Sequence, residues 1–194
     1  MTSTIPLRNE RHPDLLNRST SVLVVVDMQE PFLNVIHGRE SLTANVLLLC
    51  RAAQILQIPI VATEQYAERM GLVIPEVANI LGREKTAINK LGFSCMDAPE
   101  FRTGLSELGR HQIVVCGVET HICVSQTAHD LLHANYSVHV PADAVSSRTI
   151  EKHKLGMERI RDASIKPCAA EAVVYEWLRA AGTPEFKEIL KLVK

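Results

Sequence analysis

The apolar run at residues 21–27, SVLVVVD, restricts the fold of this chain more than any other segment. Five consecutive residues of this run are apolar, so it lacks the alternation that marks a strand with one face in water. A continuous run of this length is typical of a strand covered on both faces, as in a parallel sheet between two layers of helices. The sequence therefore predicts a buried strand of an α/β fold.

Short β-branched runs alternate with longer segments of helical period along the rest of the chain. Further strands are predicted at 59–64, 85–90, 111–118 and 136–143, with a short one at 165–168. Strands separated by helices indicate parallel βαβ crossovers. Near the end of the chain, Thr183 is in the position of an N-cap and Pro184 in the first helical position. We expect one three-layer α/β/α domain over 1–194, with an N-terminal extension at 1–20 and a C-terminal helix at 183–194.

Composition and charge narrow the classes of partner. Hydrophobic residues make up 46% of the chain and charged residues 22%, which suffices for a sizeable core. The formal net charge is -1, so charge does not favour nucleic acid as a partner. The polar N-terminus does not resemble a secretory signal, and no apolar run approaches the ~20 residues that span a bilayer. The five cysteines lack C-x-x-C spacing, which suits a reducing compartment. We expect a cytoplasmic protein that binds neither nucleic acid nor membrane.

Three chemically active side chains follow predicted strands. Asp27 ends the first strand, Lys90 ends the third, and Cys123 closes the hinge that follows the fourth. Ligands of open α/β sheets bind beyond the carboxyl ends of the strands. The sequence therefore offers an acid, a base and a thiol to one edge of the sheet.

Position alone leaves the roles of these residues open. Cys123 lies where a helix begins directly after a strand, and the helix N-terminus stabilises a thiolate there. Cys116 lies inside the strand, where burial keeps a thiol inert. Cys123 can equally be a small core residue, since free cysteines are usually buried. Asp27 can be a turn or cap residue and Lys90 a solvated lysine, and Lys85 competes for the role of Lys90.

Other local signatures are weak or missing. His129 and His133 share a helix face, which can bring two imidazoles to one metal ion. The zinc-protease signature requires a glutamate after the first histidine, where this chain has Asp130, and no third ligand is evident. We therefore interpret the pair as surface histidines. The sequence also lacks G-x-G-x-x-G, G-x-x-x-x-G-K-[ST] and G-x-S-x-G, the local signatures of dinucleotide binding, nucleoside-triphosphate binding and serine hydrolases.

Three segments resemble, in order, those of the isochorismatase-like cysteine hydrolases: VVVDMQEPF with Asp27, NKLGFS with Lys90 and CGVETHICV with Cys123. This superfamily includes nicotinamidases, N-carbamoylsarcosine amidase and the isochorismatases, and the resemblance covers about residues 21–177. The segments ATEQY and FKEILKLVK are most similar to the small isochorismatase-domain proteins, whose substrates are generally unassigned. The resemblance implies a six-stranded parallel sheet with the Rossmann-like order 3-2-1-4-5-6.

The resemblance also implies a mechanism. In it, Asp27 takes the proton of Cys123, Lys90 keeps that carboxylate charged, and the sulfur attacks a carbonyl carbon. The backbone N–H groups of Glu119 and Cys123 form the oxyanion hole, next to a non-proline cis peptide bond between Val118 and Glu119. Five further side chains follow the first three strands and are expected to line the substrate pocket: Gln29, Phe32, Gln65, Tyr66 and Phe93.

The same resemblance predicts which metal ions, cofactors and substrates the chain binds. Nicotinamidases of the superfamily bind a metal through an Asp and histidines after the second strand, where this chain reads TEQYAERM. Since that segment contains neither residue type, we expect no metal and no cofactor, and nicotinamide is disfavoured as a substrate. We expect a homo-oligomer that hydrolyses a small amide or carbamoyl-type C–N bond. Two alternatives stay open: hydrolysis of an isochorismate-like vinyl ether, which needs no thiol, and a catalytically silent scaffold.

Overall fold

The computed structural model describes residues 11–82 and 87–193. Within these residues seven strands form one sheet, and every pairing between them is parallel. The strands are β1 (Ser21–Val26), β2 (Ile60–Gln65), β3 (Ile88–Lys90), β4 (Gln112–Val118), β5 (Ser137–Pro141), β6 (Val145–Ser146) and β7 (Lys166–Cys168). Their order is β3-β2-β1-β4-β5-β7, with β6 beside β4. The predicted order of six strands is therefore confirmed, and the two-residue β6 is an addition to it.

Helices cover both faces of this sheet. They are α1 (Glu30–Leu33), α2 (Arg39–Ile55), α3 (Ala67–Met70), α4 (Pro75–Leu81), α5 (Pro99–Glu107), α6 (Ser125–His133), α7 (Ile150–Asp162), α8 (Ala170–Leu178) and α9 (Pro184–Ile189). Helices α2, α4, α8 and α9 pack into one apolar core, and α5, α6 and α7 pack into the other. The predicted three-layer α/β/α arrangement is confirmed.

Strand β1 shows why the apolar run at 21–27 predicted this fold. Leu23 and Val25 point into the core beneath α2, whereas Val22, Val24 and Val26 point into the opposite core. All five side chains are fully buried. Because β1 pairs with β2 on one side and β4 on the other, it is a central strand and has no exposed edge.

Some boundaries differ from the predicted ones. The strand predicted at 136–143 ends at Pro141, and the chain turns before it pairs again as β6. The helix predicted directly after the fourth strand begins as a turn of π-helix at Thr120–Val124, and α6 follows from Ser125. Within the predicted strand 85–90, the structure has a strand only at Ile88–Lys90. Residues 85 and 86 lie outside the described residues, as do residues 1–10 of the predicted extension.

None of the helices described here has both the length and the apolar character that a bilayer-spanning helix requires.

Candidate active site

Asp27 is the first residue after β1 and lies at the carboxyl edge of the sheet. Its backbone adopts a left-handed conformation with φ of 50°, which turns the chain away from the strand. Its side chain is buried, with 1% of the residue exposed. One carboxylate oxygen, Oδ1, accepts a hydrogen bond of 2.8 Å from Thr63 Oγ1, and the backbone N–H of Asp27 donates to the Thr63 carbonyl at 3.2 Å. One hydrogen bond to the carboxylate and one to the backbone therefore tie Asp27 to β2.

Lys90 ends β3 and reaches across β2 to the same carboxylate. Its Nζ lies 2.8 Å from Asp27 Oδ2 and 2.6 Å from Gln65 Oε1. The carbonyl oxygens of Gly92 and Phe93 lie at 3.3 Å and 3.2 Å from the same atom. Four acceptors thus surround an ammonium group that has three N–H donors. Burial is the largest influence and lowers the pKa of Lys90, but the charge of Asp27, the nearby Cys95 and Cys123 and the hydrogen bond with Asp27 together outweigh it. The pKa is therefore raised and the lysine stays cationic.

Cys123 lies in the π-helical turn that follows β4, after the cis peptide bond between Val118 and Glu119. Its exposed fraction is 7%. Burial raises the pKa of the Cys123 thiol, and so do the charge of Asp27 and a hydrogen bond with that carboxylate, while Lys90 acts in the opposite direction. We had expected the helix N-terminus to favour a thiolate. The enclosed position and the nearby carboxylate reverse that expectation, so the resting group is a thiol next to a carboxylate.

A cavity of about 70 Å³ lies where these elements meet. Its walls combine two acids, the thiol and mainly apolar side chains: Asp27, Phe32, Gln65, Phe93, Val118, Glu119, Ile122 and Cys123. Asp27 and Cys123 therefore face one space, and Lys90 lies behind Asp27 rather than in the wall.

Two of the five predicted pocket residues are not part of the cavity wall. Gln29 is buried and binds the end of β2, because its side-chain oxygen accepts from the Gln65 N–H at 2.7 Å and its amide donates to the Gln65 carbonyl at 3.1 Å. Tyr66 is 40% exposed. Phe32, Gln65 and Phe93 do line the cavity, as predicted from their places after the first three strands.

Thr63 and Cys95 were missed in the sequence. The Thr63 hydroxyl lies between Asp27 Oδ1, at 2.8 Å, and Cys95 Sγ, at 3.6 Å. Burial raises the pKa of Cys95 to about 11, with a further contribution from Asp27. Cys95 is fully buried and is not part of the cavity wall, so a substrate in the cavity does not reach its sulfur. The position of Thr63 opposite the end of β1 depends on the strand register, in which Val25 pairs with Ala62. The hydrophobic pattern of the sequence near Thr63 does not predict that register.

Val118 and Ile122 also line the cavity, on either side of the cis peptide bond that leads to Cys123. Val118 was predicted only as a partner in that cis peptide bond, and Ile122 was not predicted. Their place beside the candidate nucleophile was the available signal.

Glu119 lines the cavity, and its carboxylate is tied to the chain beyond β6. Its Oε2 accepts a hydrogen bond of 3.0 Å from the backbone N–H of Arg148 and one of 3.2 Å from Arg148 Nε. The Glu119 side chain is 11% exposed and that of Arg148 47%. The backbone N–H of Glu119 has no backbone acceptor among the residues described. It is therefore free to donate to a ligand.

The histidine pair on α6 is separate from this cavity. Nδ1 of His129 lies 2.7 Å from the Ser125 carbonyl oxygen, one turn earlier in the helix, and His133 is exposed. Across residues 11–82 and 87–193, no three His, Cys, Asp or Glu side chains are grouped in a way that would hold a metal ion.

The sequence of this chain is similar to a known protein family and to individual relatives. The family described as "Isochorismatase domain" matches residues 21–172. The "Secreted isochorismatase effector Isc1" of Phytophthora sojae is 37% identical over 186 residues, which span 90% of this chain and 85% of that protein.

Two solved structures have the same fold. The MAR1 ribonuclease of Caenorhabditis elegans has a TM-score of 0.86 and 32% identity, over 92% of this chain and 91% of that one. YcaC from Pseudomonas aeruginosa, determined with hexane-2,5-diol and covalent acrylamide, has a TM-score of 0.87 and 21% identity, over 94% and 93% of the two chains. At that identity, the likeness to YcaC shows the fold alone.

Proposed function

The chain belongs to the isochorismatase family of hydrolases, and from that premise we propose that it cleaves the C–N bond of a small amide or carbamoyl compound through a cysteine thioester. The observation that carries this proposal is the pairing of the Asp27 carboxylate with Lys90 Nζ at 2.8 Å, in a cavity wall that also contains Cys123. A fixed acid beside a thiol meets the requirement of nucleophilic catalysis for an adjacent base.

In the proposed first half-reaction, Asp27 accepts the thiol proton as the Cys123 sulfur bonds to the substrate carbonyl carbon. The raised pKa of Cys123 means that proton transfer and attack are coupled, since free thiolate is scarce at neutral pH. Lys90 stays cationic and pairs with the negative charge of the Asp27 carboxylate. The carbonyl oxygen becomes an oxyanion, which the backbone N–H groups of Glu119 and Cys123 stabilise.

In the second half-reaction, Asp27 returns the proton to the leaving nitrogen and the C–N bond breaks. The amine departs and leaves a thioester on Cys123. Asp27 then accepts a proton from water as the water oxygen attacks the thioester carbon, and the carboxylic acid leaves as the thiol re-forms.

The test uses primary amides and ureas as substrates, with ammonia release as the measurement. We expect turnover by the wild type and none by Cys123→Ala, with the circular dichroism spectrum unchanged. Acrylamide, which is bound covalently in YcaC, is both a primary amide and an electrophile, so it is the first labelling probe. One adduct on Cys123, located by peptide mass, is the expected result.

Cys168→Ala is the matched control, because Cys168 is a half-buried thiol at the end of β7 and is not part of the cavity wall. Its turnover and its labelling should equal those of the wild type. Full activity in Cys123→Ala would exclude the thioester mechanism. Activity on an isochorismate-like vinyl ether in Cys123→Ala would instead indicate acid catalysis without a thiol, and the absence of both turnover and adduct would indicate a silent scaffold.

We further propose that the chain works as a homo-oligomer on a small-molecule substrate in the cytoplasm. The chain mass is 21.5 kDa, so light scattering should give at least twice that mass, and a mass of one chain would contradict the proposal. The location stays a prediction, since the relative from Phytophthora sojae is named as a secreted effector.

A further inference from the structure

The residues that line the cavity include two acids and no basic residue, and the cation nearest to each acid is already paired with it. Among the residues that line it, Asp27 and Glu119 carry carboxylates, and no lining residue is a lysine, arginine or histidine. The nearest buried cation, Lys90, already has Asp27, Gln65 and two backbone carbonyls as acceptors. It therefore has no free N–H with which to bind a carboxylate or phosphate group of a substrate.

The basic residues near Glu119, which are Arg148 and His121, do not add a free cation to the cavity. Arg148 Nε binds Glu119 Oε2, and its side chain is half exposed and lies outside the cavity wall. His121 lies near Glu119, and its imidazole pKa is lowered by burial and by the charges of Lys152 and Arg148, although the charge of Glu119 acts in the opposite direction. His121 does not line the cavity. The two hydrogen bonds from Arg148 fix the position of the Glu119 carboxylate.

We propose that Glu119 is a specificity-determining residue that excludes anionic substrates and restricts this site to small uncharged acyl groups. The inference rests on the proposed hydrolase function and names its substrate class. A substrate anion in the cavity would have acidic residues and no free cation around it, and like charges oppose binding. Phe32, Phe93 and Ile122 supply apolar surface that suits an uncharged acyl chain.

The size of the cavity limits that acyl group. A volume of about 70 Å³ corresponds to roughly five to seven water-sized positions, since each needs about 10–15 Å³ on this measure. An acyl group with a few carbon atoms fits this space. A substrate with two carboxylates or a phosphodiester would bring negative charge to a cavity that has no free cation among its lining residues.

The test compares two alkylating agents of similar shape, neutral iodoacetamide and anionic iodoacetate. In both reactions a bond forms between the Cys123 sulfur and the methylene carbon, iodide leaves, and the thiol proton passes to Asp27 and then to solvent. Peptide mass spectrometry measures the labelling rate at Cys123, and glutathione gives the intrinsic reactivity ratio. We expect Cys123 to prefer iodoacetamide by roughly tenfold more than glutathione does, as like-charge exclusion predicts.

Glu119→Gln should lower this preference at least several-fold by faster reaction with iodoacetate, because the shape is kept and one charge is removed. Glu188→Gln is the matched control, since Glu188 is a surface carboxylate on α9, is paired with Lys191 and does not line the cavity. It should leave the preference unchanged. Arg148→Gln provides an independent variant, and because it removes the cation that partly offsets Glu119, it should increase the preference for iodoacetamide.

The proposal is overturned if wild-type Cys123 shows the same preference as glutathione, or if Glu119→Gln reacts with the wild-type preference. Should Glu119→Gln fail to fold, an unchanged or weaker preference in Arg148→Gln overturns it. The labelling needs only the thiol and the charges around it. A protein that hydrolyses no amide but keeps the Glu119-dependent preference would therefore refute the proposed hydrolase function and leave the assignment of charge selectivity intact.

Discussion

The Asp27–Lys90 ion pair is almost fully enclosed, and each charge depends on the other. The lysine side chain is 0% exposed and that of the aspartate 1%. Removing two charges from water costs more than their attraction returns unless further hydrogen bonds satisfy both groups. Here Thr63 and Gln65 supply such bonds from β2. A buried pair of this kind is more readily explained by chemistry at the site than by a gain in stability.

Lys90→Met should lower the free energy of unfolding by about 3–5 kcal/mol at neutral pH, because it leaves the Asp27 carboxylate buried without its cation. Urea denaturation measures the change. The double variant Asp27→Asn with Lys90→Met should lose less than Lys90→Met alone, since no unpaired charge remains. An equal or larger loss in the double variant would show that the pair is stabilising on balance.

The pKa of Lys90 fixes the pH range in which this stabilisation holds. Because the pKa of the folded protein is raised above the ordinary 10.5, the contribution of Lys90 is fully present below 10.5. It is lost only as the pH rises through the folded value. The cost of Lys90→Met should therefore be measured near neutral pH, where the pair is intact.

The candidate residues could be predicted only in part. Asp27, Lys90 and Cys123 were identified because each follows a strand, and parallel strands bring their carboxyl ends to one edge. Thr63 could not be identified in the same way, since its role follows from strand register. The protonation of Cys123 was also not predictable, because it depends on how tightly the cavity encloses the sulfur and on the nearness of the Asp27 carboxylate.

At the scale of elements, the junction between β4 and the π-helical turn decides where Cys123 lies. Gly117 is paired with Val26 in the last register position of β1 and β4. Its φ is +110°, and a Cβ at this position would lie 2.1 Å from the carbonyl oxygen of Val26. Only glycine permits this close approach of the two strand ends.

Gly117→Ala should therefore lower the free energy of unfolding by about 3 kcal/mol and reduce turnover, since backbone atoms must move to admit the methyl group. Gly104→Ala on α5 is the comparison, because a Cβ there meets nothing within 4 Å. In a helix that change should stabilise by roughly 0.5–1 kcal/mol. Thermal unfolding and amide turnover measure both variants, and equal effects would contradict the steric argument.

Element boundaries were predictable where the hydrophobic pattern was long and regular. β1 and β4 match their predicted runs almost residue for residue. The segment at 136–143 was read as one strand, but its chain turns after Pro141 and resumes at Val145 beside β4. The position of β6 is set by its pairing with β4, which is distant in sequence. Such pairing leaves no periodic hydrophobic pattern in the local sequence.

At the scale of the whole molecule, a buried histidine on β5 links folding to pH. His139 is 3% exposed, and burial, together with the charge of Lys166, lowers its pKa from 6.5 to about 4. The unfolded chain therefore binds more protons than the folded one between these two values. Stability is full above pH 6.5 and falls as the pH decreases towards 4.

The shift from 6.5 to about 4 corresponds to a loss of about 3 kcal/mol across this range. His139→Gln should flatten the pH dependence of the free energy of unfolding between these values, as measured by urea titration at several pH values. His133→Gln, at an exposed position on α6, should leave the wild-type slope in place. A slope that persists in His139→Gln would assign the effect to other groups.

Because the cavity lies at the carboxyl edge of a parallel sheet, the opposite edge is available for attachment. The helix-to-strand turns at Gln57, Gly109 and Asn135 each contain a residue with positive φ and reverse the chain at that edge. They stand a strand's length from Cys123, roughly 20 Å for the seven residues of β4. A dye, a purification handle or a solid support joined there would leave the mouth of the cavity at the carboxyl edge unobstructed.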